Sequence, residues 1–142
     1  MNVEVNWLAI LLATVSSMVI GSIWYGKVGF MESWQKLTGM KPKKGKELQK
    51  AMMAGMTTAV VSSFLMAVVL AHAAFIAHAF YGNSFMTDAV ETAFWVWLGF
   101  QGLRMLMNDT FEGRRKKLTL INAGNSFVTI IVMGIIIGAI GV

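Results

Sequence analysis

Cysteine is absent from the 142 residues. Disulfides, thiolate catalysis and cysteine metal sites are thereby excluded. Proline occurs once, at Pro42, so almost nothing interrupts a helix interior. Charge is scarce: Asp, Glu, Lys and Arg make up 13% of the chain, against about 25% in an ordinary soluble domain. The motifs that accompany catalysis are also missing. There is no HExxH, no G-x-S-x-G, no phosphate-binding glycine loop and no acidic cluster suited to two metal ions. The expectation is a protein that is not an enzyme, and no metal or cofactor is expected.

What the chain has instead is apolar surface. It is 56% hydrophobic with 14 glycines, and its mean hydropathy is +0.64. A bilayer core of ~30 Å needs about 20 apolar residues in a helix, and four stretches meet that need: about 7–24, 51–80, 89–107 and 118–140. The expected fold is all-α, a single membrane domain over 1–142 with four transmembrane helices. The first stretch is read as a retained helix rather than a signal peptide. Its leader, Met1 to Val5, has no Lys or Arg, and Gly21 to Gly26 is no A-x-A-like cleavage site.

The net charge of +5 has a topological explanation. Lys27, Lys36, Lys41, Lys43, Lys44, Lys46 and Lys50 lie between the first two stretches. Arg114, Arg115, Lys116 and Lys117 lie between the last two, with Arg104 near that same end. Those twelve are all the basic residues, and the outer side carries Glu4, Asp88 and Glu91 at most. The positive-inside rule puts both basic loops in the cytoplasm and both termini outside. Nucleic acid is therefore not an expected partner. Trp7, Trp24, Tyr25 and Tyr81 fall at predicted interfaces, where amphipathic rings are favoured.

Between the first two spans, residues 29–38 carry Phe30, Met31, Trp34 and Leu37 at helical spacing. They read as a short amphipathic helix lying in the headgroup region, followed by a break at Gly39 to Gly45. The lysines there would draw anionic lipid to the surface.

Small residues mark how the helices should pack. Gly55, Ala59, Ser63, Ala67 and Ala71 recur every four residues in the second stretch, and Gly134 and Gly138 form a GxxxG pattern in the fourth. Whether these stripes meet each other or other chains is open from the sequence. Membrane lipids, other membrane chains or a second copy are the expected partners.

Polar groups at membrane depth are the candidate site residues. On an α-helix Gln101, Arg104 and Asn108 share a face at i, i+3 and i+7, and Asn122, Asn125 and Ser126 share one on the antiparallel neighbour. Asp109 or Glu112 would neutralise Arg104. The set reads either as a clamp between two helices or as a pocket for an anionic headgroup or solute. Near the outer face, His72 and His78 stand six apart, too far around the helix to chelate together. His78 is within reach of Glu91, a pairing that would respond to pH near neutrality.

A family resemblance rests on residues along most of the chain. Asn6-Trp7-Leu8-Ala9-Ile10 opens the first span and Gly21-Ser22-Ile23-Trp24-Tyr25-Gly26 closes it, with Phe30, Trp34, Leu37 and Gly39-Met40 following. Near the end come Phe111-Glu112-Gly113-Arg114, Ile121-Asn122-Ala123-Gly124 and Met133 to Gly138. These resemble the bacterial membrane family catalogued as domain of unknown function number 1761. The chain departs from that pattern at Lys27, where such proteins often have proline, and at Asn125-Ser126, where an aromatic residue is more usual. The resemblance implies a small four-span protein of the bacterial cytoplasmic membrane and supplies no activity, substrate or cofactor.

Three functions are carried forward. The first is a structural or accessory subunit of a membrane complex, or a homo-oligomer. The second is a small oligomeric transporter or channel using the Arg104 cluster. The third is a protein that ligates a cofactor through a histidine.

Overall fold

The computed structural model describes residues 5–40 and 43–141. Expectations that fell on residues 1–4, Lys41 and Pro42 lie outside them. Among the described residues every regular element is helical. Helix α1 spans Trp7–Trp24, α2 Met31–Thr38, α3 Gly45–Tyr81, α4 Phe85–Val96, α5 Leu103–Phe111 and α6 Lys116–Ile140. A π-helical segment, Trp97–Gly102, joins α4 to α5 without a break.

Three helices, α1, α3 and α6, are each long and apolar enough to cross a membrane. The third apolar stretch is different: it runs from Phe85 to Phe111, but its central turn is π rather than α. The amphipathic stretch forms α2, which begins two residues later than the spacing suggests and packs against α6.

Local chemistry sets the ends. Asn6 caps α1, its side-chain oxygen accepting from the backbone N–H groups of Leu8 at 3.0 Å and Ala9 at 3.4 Å. At the other end of α1 the chain turns back on itself. A Cβ on Gly26 would collide with the Ser22 carbonyl, and one on Gly29 with the Trp24 carbonyl. Only glycine permits that reversal, which aims Trp24 and Tyr25 at α6.

Helix α6 is the centre of the packing, with α1 and α4 against it and α3 against α1 and α4. The core holds Ile10, Leu70, Met133 and Ile137, with Ala9, Ala13, Ala67, Ala71, Ala93 and Ile130. The GxxxG pattern finds its partner in α4. A Cβ at Gly134 would lie 2.8 Å from the Ala93 Cβ, and one at Gly138 2.8 Å from the Met86 Cα. Both are closer than a side chain tolerates, so the two backbones approach because these positions are bare.

The stripe on α3 is used over only half its length. Ala67 and Ala71 are buried, together with Ala74. Ala59 and Ser63 are half-buried and Gly55 is exposed with open space around it. The expectation of one continuous packing stripe is therefore corrected. The C-terminal half of α3 packs, while the N-terminal half leaves the body. At ~1.5 Å per residue the 37-residue α3 is about 55 Å long and the 25-residue α6 about 37 Å. Helix α3 is thus the longer by roughly 18 Å.

Large apolar side chains face outward throughout. Val15 is 58% exposed, Val69 62%, Trp95 64% and Leu120 72%. Water would penalise such a surface, whereas lipid matches it.

Candidate functional site

The departure of α3 opens a cavity of about 480 Å³ bounded by α1, α3, the π segment and α6. Helix α1 contributes Ser17, Met18, Gly21 and Ser22, with Tyr25 just beyond its end. Helix α3 contributes Met56, Ala59, Ser63 and Met66, the π segment Gln101, and α6 Asn125, Ser126 and Thr129. The unused part of the small-residue stripe is thus the wall of a cavity. A second hollow, of about 510 Å³, lies along the N-terminal stretch of α3. Among the described residues it is lined by that helix alone, and one helix face encloses nothing.

The cavity wall is mostly apolar, with uncharged hydroxyls and amides set into it. Ser17 Oγ donates to the Thr14 carbonyl at 2.7 Å and Ser22 Oγ to the Met18 carbonyl at 2.7 Å, each within its own helix. Ser126 Oγ donates to Gln101 Oε1, tying α6 to the π segment. The Asn125 side-chain N–H₂ is buried and has no protein partner. An orphaned buried donor costs about 1–3 kcal/mol, so this amide is the one unsatisfied demand in the cavity wall.

Beside the cavity, α1 is bolted to α6. Trp24 Nε1 donates to the Ile121 carbonyl at 3.0 Å, and the Tyr25 hydroxyl to Asn122 Oδ1 at 3.0 Å. A Cβ on Gly124 would lie 2.9 Å from the Trp24 ring, so glycine there makes room for the indole. Burial pushes the Tyr25 phenol above its usual value, which keeps it a neutral donor. The Trp24-Tyr25-Gly26 turn and the Ile121-Asn122-x-Gly124 stretch, far apart in sequence, are two halves of one joint.

The predicted polar cluster is divided. Gln101, Asn125 and Ser126 meet at the cavity, and Asn122 stands at the neighbouring joint. Arg104 and Asn108 do not join them and are exposed. The π segment is the reason. Its wider turn adds one residue to the helix and rotates everything downstream by about a residue's angle. Met105 and Asp109 then stand where a straight helix would have put Arg104 and Asn108, and Asp109 is buried. The expected neutralisation of Arg104 is also corrected. Arg114 takes both carboxylates, Glu112 at 2.6 Å and Asp109 at 3.6 Å. Asp109 further accepts from the Thr119 hydroxyl at 2.7 Å, which closes the turn between α5 and α6.

At the C-terminal end of α3, His78 pairs with Asp88 and not with Glu91, which is exposed. The Asp88 side chain is fully buried and accepts from His78 Nδ1 at 2.9 Å and Asn83 Nδ2 at 3.0 Å. Gly82, with φ +68°, ends α3 and allows the tight turn that brings the three together. Ser84 caps α4 through the Thr87 N–H. This is a latch across the α3–α4 hairpin, and the sequence signal for it was Asp88 in the first turn of a helix facing His78. His72 bonds through Nδ1 to the Val68 carbonyl of its own helix at 2.8 Å. Among the described residues no group of three or more His, Asp or Glu is placed to hold a metal ion.

Among the described residues the fold therefore defines a helical chain with three helices of membrane-crossing length and an uncharged cavity among them. The chain belongs to the family described as Protein of unknown function (DUF1761), which it matches over residues 8–138. No curated protein and no solved structure matches it.

Proposed function

We propose that the protein is a four-span integral protein of the bacterial cytoplasmic membrane that works without catalysis, by holding a membrane-borne molecule between α3 and the other helices. Both termini face the non-cytoplasmic side. The fourth span is Phe85–Phe111, about 40 Å of continuous helix with its π turn in the middle. The observation that carries the reading is the cavity itself: hydroxyls and amides gathered on one side of a helix that has left its neighbours. Polar groups at this depth are costly unless they are used.

A second reading keeps the accessory-subunit role. Gly55 has open space around it, and Ala59 and Ser63 border the cavity rather than packing on a neighbouring helix, so the stripe suits a partner's transmembrane helix. A transport path draws less support, because the apolar layer of Ile10, Leu70 and Met133 lies between the cavity and the outer latch. A cofactor on a histidine draws less still, since neither histidine lines the cavity.

Purification in mild detergent followed by native mass spectrometry separates these readings. A small-molecule mass that is lost in Ser63→Trp, which fills the cavity, is the expected result. A polypeptide held at fixed stoichiometry favours the accessory subunit. A bare chain contradicts both.

A further inference from the structure

We infer that the cavity takes an uncharged, membrane-soluble molecule whose polar head offers carbonyl oxygen to Asn125. This rests on the reading of the cavity as a binding site and names the chemistry of its occupant.

Charge is the first criterion. None of the described residues lining the cavity is charged at neutral pH, and Arg104, the cation expected there, faces away. A phosphate or carboxylate brought in would be desolvated with no counter-charge, which excludes anionic headgroups on cost alone. A cation fails for the same reason.

Hydrogen bonding is the second criterion. The unmet demand in the wall is a donor, the Asn125 N–H₂. Gln101 presents its carbonyl to Ser126, which turns the other side of that amide, a second N–H₂, away from the bond. The Asn125 N–H₂ is the buried donor without an acceptor, and an uncharged acceptor on a membrane-soluble molecule is a carbonyl oxygen. The remaining wall is adaptable. Met18, Met56 and Met66 are unbranched thioethers that conform to an irregular apolar body.

Access is the third. Helix α3 is exposed on its far side over the same length, with Val61 53% and Leu65 57% exposed. The cavity therefore lies one helix thickness from surrounding lipid at the cytoplasmic half of the protein. A molecule dissolved in the inner leaflet reaches it by displacing the unpacked half of α3, without crossing the tight α1–α6 joint.

Two membrane molecules share this chemistry: acyl-glycerols, with ester carbonyls, and quinones, with ring carbonyls. The test uses the full chain in phosphatidylcholine nanodiscs. Dioctanoylglycerol, a short-chain benzoquinone and phosphatidylglycerol are added separately and bound masses are read by native mass spectrometry. Quinone binding is read in parallel by quenching of Trp24 fluorescence. One neutral probe is expected to bind once per chain. Asn125→Leu should weaken it about tenfold, the loss of one hydrogen bond. The same variant should melt higher than the parent when empty, because it deletes an orphaned donor. A residue with only a packing role would not produce those two opposite changes. Ser63→Trp should abolish binding and Arg104→Gln should leave it unaltered. Whichever neutral probe binds identifies the source. Preference for phosphatidylglycerol, with sensitivity to Ser63→Trp but not to Asn125→Leu, overturns the uncharged class and leaves the binding site standing. Binding of no probe, or binding that Ser63→Trp does not alter, overturns both.

Discussion

Tyr25 and Asn125 show the two fates of a polar side chain packed among apolar helices. Tyr25 has its partner in Asn122, and together with Trp24 it fixes where α1 ends on α6. Tyr25→Phe removes one neutral hydrogen bond and should cost about 1 kcal/mol in unfolding free energy, measured by denaturant titration in micelles. Arg104→Gln should change stability by less than about 0.5 kcal/mol, because Arg104 is exposed and, among the described residues, makes no ion pair. A large loss on that substitution would restore the clamp that the helical wheel implied. The wheel placed Gln101 and Ser126 usefully because Gln101 lies within the π turn, ahead of its end, and Ser126 on the helix opposite. It misplaced Arg104 and Asn108 because both lie after it. Composition gives no sign of a π turn, although Gly99 and Gly102 flanking Phe100 and Gln101 offer the bare backbone in which one forms.

At the scale of elements, two contacts decide how α4 sits. On one side Gly134 and Gly138 let it close on α6. Gly134→Leu would force a side chain into the Ala93 methyl and the Ala89 carbonyl, and overpacking of that kind costs typically 1–3 kcal/mol. The expected outcome is a lower melting temperature and a broader size-exclusion peak, while Gly55→Leu, in open space, should leave both unchanged. On the other side the His78–Asp88–Asn83 latch holds the hairpin to α3. Asp88→Ala leaves two donors without their acceptor and should lower the melting temperature. Glu91→Ala, at the residue first paired with His78, should not. The helices themselves were readable from apolar runs and caps, because lipid-facing helices need length and hydropathy more than pattern. Which stripe meets which was not readable. GxxxG states that a backbone approaches, and only the fold names Ala89 and Ala93 as what approaches it.

At the scale of the molecule, the asymmetry of α3 is the feature from which the rest follows. Its C-terminal half is packed by Ala67, Leu70, Ala71 and Ala74, and its N-terminal half stands away, with Val61 and Leu65 outward and Met56, Ala59, Ser63 and Met66 toward the cavity. The small-residue stripe was visible in the sequence, but a stripe is equally a seam or a cavity wall, and nothing in its spacing separates the two. In the proposed four-span arrangement all twelve basic residues fall on one side, which is what sets the proposed orientation. That arrangement, with Phe85–Phe111 as a crossing, is the central claim. The chain has no cysteine, so single cysteines can be placed freely. The most direct measurement is labelling of Lys44→Cys, Asn83→Cys and Arg115→Cys by a membrane-impermeant thiol reagent in intact cells. The account predicts that Asn83→Cys reacts at once, and that Lys44→Cys and Arg115→Cys react only after the membrane is opened. Reaction of Asn83→Cys and Arg115→Cys together, from the same side, would mean that Phe85–Phe111 does not cross and would contradict it.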